Sequence, residues 1–177
     1  VYVFKITELY GYASSVRRRF AQKLAELPWA EVDKNREASF YSMKNILLHM
    51  VDNEDWIVNW VIQGRAADYK RSKKSADYTN MESVLYHLDD VERKTKLYLE
   101  TSNEEELGRR IRFTFSNGDS FDSSVEECLF QSFTEQLYHL GELIALLWQI
   151  NVEPPRMQWF YNNPRANSDG AETRVTG

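Results

Sequence analysis

Glu135 and His139 stand four residues apart in a strongly apolar stretch, a spacing that lifts both side chains from consecutive turns on one helix face toward a common point. They belong to a polar stripe, Cys128, Ser132, Glu135, His139, Glu142 and Gln149, on an otherwise apolar segment. A third group must come from elsewhere in the chain. His49 is the obvious donor, because it sits inside the run Ile46-Leu47-Leu48-His49-Met50-Val51, where a charge without a partner is costly. Two imidazoles and a carboxylate suit a divalent zinc, nickel or iron ion, and three protein ligands leave coordination positions open. The same residues have plainer readings. A lone histidine such as His49 is more often a hydrogen-bonded core residue than a ligand, and Glu135 with His139 reads as an i,i+4 surface contact.

Other chemistry-bearing residues give weaker signals. His87 reads as a partly exposed side chain between apolar positions, Cys128 as a core thiol, and Trp56, Trp60 and Trp148 as packing residues. The basic pieces Arg17-Arg18-Arg19 and Lys70 to Lys74 are short and have acidic neighbours, so they read as solvated surface. With 22 Lys plus Arg against 27 Asp plus Glu, the net charge of −5 argues against a phosphate-backbone binder, and nucleic acid is not an expected partner. There is no glycine-rich phosphate loop, Gly-x-Ser-x-Gly elbow or paired-cysteine metal motif. The lone cysteine makes no internal disulfide, no apolar run reaches the roughly 18 residues of a membrane span, and the N-terminus lacks a secretory pattern. These features predict a cytoplasmic protein with no membrane partner.

Four amphipathic segments must position these groups. The first runs from Tyr2 to Leu27 with apolar residues every three to four positions, and Pro28 closes it. The second starts at Ser42, a helix-capping residue, and continues to Gly64. The third opens on Thr79 and Glu82 in capping-box spacing and fades near Thr101. The fourth opens at Ser123 or Ser124, with Glu126 or Glu127 three residues on, and ends at Ile150 before Pro154-Pro155. Helices of roughly 20 to 27 residues are about 30 to 40 Å long, the dimension of a four-helix bundle. The stretch from Arg65 to Tyr78 is long enough to run back along a helix, so the second and third helices can be parallel. The alternation Ile111, Phe113, Phe115 before Asn117-Gly118 reads as a hairpin-like piece. The composition predicts one domain over 1–161 and a mobile tail over 162–177.

Three segments resemble the DinB/YfiT-like metalloprotein superfamily. Ser42 through His49 to Glu54 and Trp56 is similar to its second helix, where a capped start leads to a metal histidine and, five residues later, an acidic residue. Glu135-Gln-Leu-Tyr-His139-Leu-Gly141-Glu142 is similar to its fourth helix, whose pattern is His-x-x-x-His followed by Arg-Gly-Gln. Gln149 through Pro154-Pro155 to Phe160-Tyr161 is similar to its close. The first histidine of the helix-four pair is Glu135 here, and Leu140 and Glu142 stand where Arg and Gln are usual. The resemblance implies an all-α four-helix bundle of up-down-down-up topology with a long crossover loop. It implies a metal site of His49 and His139 directly and of Glu135 by position, with a carboxylate in place of an imidazole. It also implies a homodimer, to which the aromatic residues Tyr2, Tyr10 and Tyr12 are expected to contribute. For function it implies a metal-dependent transferase, including one that uses a low-molecular-weight thiol, or a hydrolase of small molecules. In either, Glu142, or Glu135 if unligated, is the general base. A non-catalytic dimeric binding or stress-response protein with a vestigial site is the alternative.

Overall fold

Three of the four long helices begin where a side chain satisfies a first-turn backbone amide. In chain order the elements of the computed structural model are α1 (Ile6–Ala25), a short α2 (Trp29–Val32), α3 (Met43–Trp56), α4 (Met81–Thr101), a short α5 (Glu104–Gly108), the hairpin strands β1 (Arg110–Thr114) and β2 (Ser120–Ser124), α6 (Val125–Gln149) and a short α7 (Trp159–Asn162). The structure describes residues 3–71, 73–115 and 117–162. The tail expected over 162–177 therefore lies, apart from Asn162, outside the described residues, as does Tyr2. The Ser42 hydroxyl accepts from the Asn45 amide at 3.2 Å to start α3. Ser124 and Glu127 close a reciprocal capping box at the start of α6. The start of α4 differs from expectation: Asn80, not Thr79, is the cap, because its carboxamide oxygen accepts from the Ser83 amide at 2.9 Å.

The buried apolar residues fall into two layers that fix the direction of every helix. In one layer Ile6, Leu9 and Ala13 of α1 meet Ile57 and Val61 just beyond α3, Leu99 of α4, and Leu129 and Phe133 of α6. In the other, Phe20 and Leu24 of α1 meet Ile46 and Leu47 of α3, Val84 and Leu88 of α4, and Leu143 and Leu147 of α6. Hence α1 and α6 run one way and α3 and α4 the other, the up-down-down-up order. Both α1 and α3 pack against α4 and α6. Full burial of residues such as Phe20, Leu47, Leu88 and Leu140 contributes roughly 1.5–3 kcal/mol each before the entropy of ordering is subtracted.

Several local features depart from the periodic pattern. The second helix reaches Gly64 only by changing form: α-helix ends at Trp56, and Ile57–Val61 is a π-helical turn in which the Ile62 amide donates to the Ile57 carbonyl at 2.9 Å. Gly64, at φ +69°, then ends the helix in the left-handed conformation glycine accepts most readily. The hairpin is real, β1 and β2 pairing antiparallel with Phe113 opposite Phe121. Trp56 packs on Phe113 and Phe115 of the hairpin. Trp148 is 56% exposed and does not pack in the core as expected, because it faces outward from α6. Among the described residues, no helix is long and apolar enough to cross a membrane.

Arg17 overturns its expected place on the surface. It is fully buried, its guanidinium held 2.6 Å from Glu54 and 3.2 Å from Glu92. The Gln136 amide and the Tyr10 hydroxyl also donate to Glu54, at 2.8 and 3.2 Å. Four helices thus share one polar knot between the two apolar layers, where charges are tolerated because each is answered by a partner. Tyr10, expected at a dimer face, belongs to this knot, and burial first, then the nearby Glu54 charge, pushes its phenol well above the ordinary range.

Candidate metal centre

The contact between α3 and α6 brings together the three residues whose spacing suggested a ligand set. The Ser42 cap fixes the first turn of α3, so His49, almost two turns on, faces α6, where Glu135 and His139 rise from consecutive turns. Glu135 Oε1 lies 3.0 Å from His49 Nε2 and 3.7 Å from His139 Nε2. All three donor atoms fall within 4.8 Å of one another. Ligand atoms about 2.1 Å from a tetrahedral ion stand roughly 3.4 Å apart, so the observed separations bracket what one shared ion requires. The donor chemistry fits as well: two imidazole nitrogens and one carboxylate oxygen converge without a lysine or arginine among them.

The surroundings fix how each ligand points. Glu142 Oε2 lies 2.6 Å from His139 Nδ1 and also accepts from the Ser39 hydroxyl at 2.9 Å. With a proton on Nδ1 donated to Glu142, His139 presents the lone pair of Nε2 to the centre. The other oxygen of Glu135 accepts from the Asn53 amide at 3.3 Å, and Asn53 in turn accepts from the Ser132 hydroxyl at 3.4 Å. The His49 hydrogen bond, outweighing partial burial, holds the Glu135 carboxyl below its ordinary value, so it is an anion available to a cation. Phe40 stacks on His49 at 3.9 Å between ring centroids and meets His139 edge-on at 5.3 Å, covering one side of both imidazoles.

Of the residues singled out in the sequence, His49, Glu135 and His139 meet, and Glu142 joins them through His139. Cys128 does not: it is half-buried with the layer of Leu129 and Phe133. His87 is also elsewhere, its Nε2 2.9 Å from Asp52 on the α4 side of α3. Sequence reasoning missed Asn53, Ser39 and Phe40. Asn53 carried a signal, standing four residues after His49 on the same face. Ser39 and Phe40 carried none, since they are delivered by a loop with positive φ at Glu37 and Tyr41.

The chain is thus a four-helix bundle in which two histidines and a carboxylate, gathered between the second and fourth long helices, could hold a metal ion. The chain belongs to the DinB family, whose model matches residues 3–170. Its fold is similar to that of a DinB-like protein from Bacillus subtilis, YjoA, with a TM-score of 0.62, 15% identity, and 86% of this chain and 96% of that chain covered. It is similar also to a DinB-like protein from Bacillus cereus ATCC 10987, with a TM-score of 0.64, 13% identity, and 85% of this chain and 94% of that chain covered. No curated protein matches the sequence.

Proposed function

We propose that the protein is a metal-dependent enzyme, a transferase that uses a low-molecular-weight thiol or a hydrolase of small molecules, with His49, Glu135 and His139 as the ligands of a divalent zinc, nickel or iron ion. The observation that carries this reading is the convergence of the three donor atoms within 4.8 Å, with Glu142 placed behind His139. A divalent ion there supplies Lewis acidity, polarising a substrate or lowering the pKa of a coordinated water or thiol. The chain's own residues supply the rest. Glu135 balances charge in a partly buried place, Asn53 and Glu142 orient the ligands, and Phe40 keeps water from one face of the imidazoles. Glu142 enters first as the residue that positions His139; its Oε1, which makes no hydrogen bond among the described residues, is the atom that takes a proton if Glu142 also serves as base.

Metal analysis of protein purified without chelator, followed by thiol-transfer and hydrolysis assays, tests the reading. One divalent ion per chain, lost in His49→Ala and His139→Ala, together with metal-dependent turnover, is the expected result. A chain that neither retains nor takes up zinc, nickel or iron is instead the non-catalytic protein with a vestigial site. The homodimer extends the proposal. Its support is the outer face of α6, where Phe130, Tyr138 and Trp148 are exposed, rather than Tyr10, which is buried, or Tyr12, which donates to the Met157 carbonyl. A light-scattering mass equal to the 20.9 kDa monomer at micromolar concentration removes it.

A further inference from the structure

The face of α3 that carries His49 also closes a second space. A cavity of about 170 Å³ lies between this helix and the crossover that leads to α4, with His49, Asp52, Arg71, Lys73, Ser75 and Tyr78 in its wall. The crossover is clasped to α3 rather than draped over it. The Lys44 ammonium donates to the Ser75 carbonyl at 3.2 Å, the Ser75 hydroxyl donates to Asn45, and Arg71 Nε lies 3.0 Å from Asp52 Oδ2. These ties hold the two cationic residues of the wall at its rim.

The charges of the wall do not cancel. Asp52 answers Arg71, but the same carboxylate also takes His87 Nε2 at 2.9 Å, so its charge is shared between two partners. The Lys73 ammonium sits 5.5 Å from the Tyr78 ring centroid, and no carboxylate lies within 4.0 Å of it among the described residues. In a chain of net charge −5, a recess with two cations and one shared anion is a local reversal of sign, and such a recess concentrates anions. Drug-sized ligands fill about 300–1,000 Å³, so this space suits a smaller group. His49 is common to the cavity wall and to the ligand set.

We propose that this cavity is a subsite for the anionic group, carboxylate or phosphate, of the small-molecule reactant, with Lys73 and Arg71 as its counter-charges. Its position sets the anion beside His49, so that the rest of the molecule extends toward Glu135 and His139. The assignment rests on the reading of those residues as a metal centre. Binding of the anion itself does not require the ion.

Calorimetric titration of the full chain with succinate, inorganic phosphate and the neutral succinamide, on chelator-treated and on zinc-loaded protein, tests it. Saturable binding of succinate or phosphate but not succinamide, weakened about five- to tenfold by Lys73→Gln and by Arg71→Gln, is expected. Zinc stoichiometry is expected to be unchanged in both variants. The stronger of the two anions identifies the chemical group. Lys73→Gln removes no ion pair among the described residues, so it tests the charge even if Arg71→Gln disturbs the crossover. Wild-type affinity for both anions in Lys73→Gln overturns the subsite, as does binding seen only with zinc and abolished by His49→Ala. Anion binding of the expected pattern in a chain that takes up no zinc supports the subsite and overturns the metal-centre reading alone.

Discussion

Glu142 accepts from His139 across 2.6 Å, between residues three apart on α6, and the loop residue Ser39 donates to the same oxygen. The pair links the helix that carries two of the three donors to the segment that brings Phe40 over them. Replacing Glu142 with Gln keeps the shape and removes the charge behind the imidazole. Zinc affinity, measured by competition with a chromophoric chelator, should fall about tenfold, the lower end of what loss of a partner behind a ligand causes. Unchanged affinity would assign Glu142 to loop anchoring alone.

The cap of α4 gives a smaller and cleaner test. Asn80→Ala should destabilise the fold by about 1 kcal/mol in urea unfolding, and Thr79→Ala should have a smaller effect. The reverse order would restore the reading in which Thr79 begins the helix.

Glu106 ties α5 to the end of α4 and should shape stability in acid. Hydrogen bonds from Arg109 at 2.7 Å and from Tyr98 at 2.6 Å push its carboxyl down to about 2 from an ordinary 4.5, Arg109 having the larger effect. A carboxyl depressed in the folded state contributes stability that is fully present above pH 4.5 and is lost as pH falls toward about 2. Thermal melts of Glu106→Gln should show a lower Tm than wild type at pH 7 and a gap that closes between pH 4.5 and about 2. A gap independent of pH would mean that the carboxylate's charge is not what holds α5.

The positions of the long helices were legible because their determinants are local. Ser42 and Ser124 satisfy their own first turns, and apolar residues at helical spacing select the buried face. The parallel run of α3 and α4 was legible from the length of the crossover. Arg17 was not, because nothing in Arg17-Arg18-Arg19 distinguishes the inward residue: its burial depends on Glu54 and Glu92, which come from other helices. The π-turn after Trp56 was hidden for a similar reason, its residues having the same apolar pattern as an α-helix. In the candidate site, residue identities were legible from Glu135 and His139 one turn apart. The rotamer that turns Glu142 toward His139, and the loop that stacks Phe40 on His49, depend on tertiary packing.

Arg17 is the residue whose loss should be felt most in stability. Arg17→Ala leaves Glu54 buried without its cation, while Glu92 keeps Arg18 at 2.7 Å, and breaking a buried pair in this way costs about 3–5 kcal/mol. Arg17→Ala combined with Glu54→Gln should recover part of that loss, since the uncompensated charge is removed as well. Urea denaturation of the single and double variants reads this directly. A single variant within about 1 kcal/mol of wild type would mean that water or relaxation replaces the guanidinium without difficulty.

The strongest test of the centre concerns Glu135. His49 and His139 stand on apolar helices, so an ion shared between them brings two positive charges into a poorly solvated place, and a nearby anion offsets that. Glu135 is that anion: Oε1 lies 3.0 Å from His49 Nε2 and 3.7 Å from His139 Nε2, while Glu142 faces the far nitrogen of His139. Glu135→Ala should therefore reduce zinc affinity at least a hundredfold, more than Glu142→Gln does, because a ligand is lost rather than a group behind one. Glu135→His should retain binding and shift preference toward zinc, since imidazole is the softer donor. The measurement is metal occupancy of all three variants and wild type after purification under the same limiting metal supply. Equal occupancy in wild type and Glu135→Ala would remove Glu135 from the ligand set and leave it as the hydrogen-bond partner of His49.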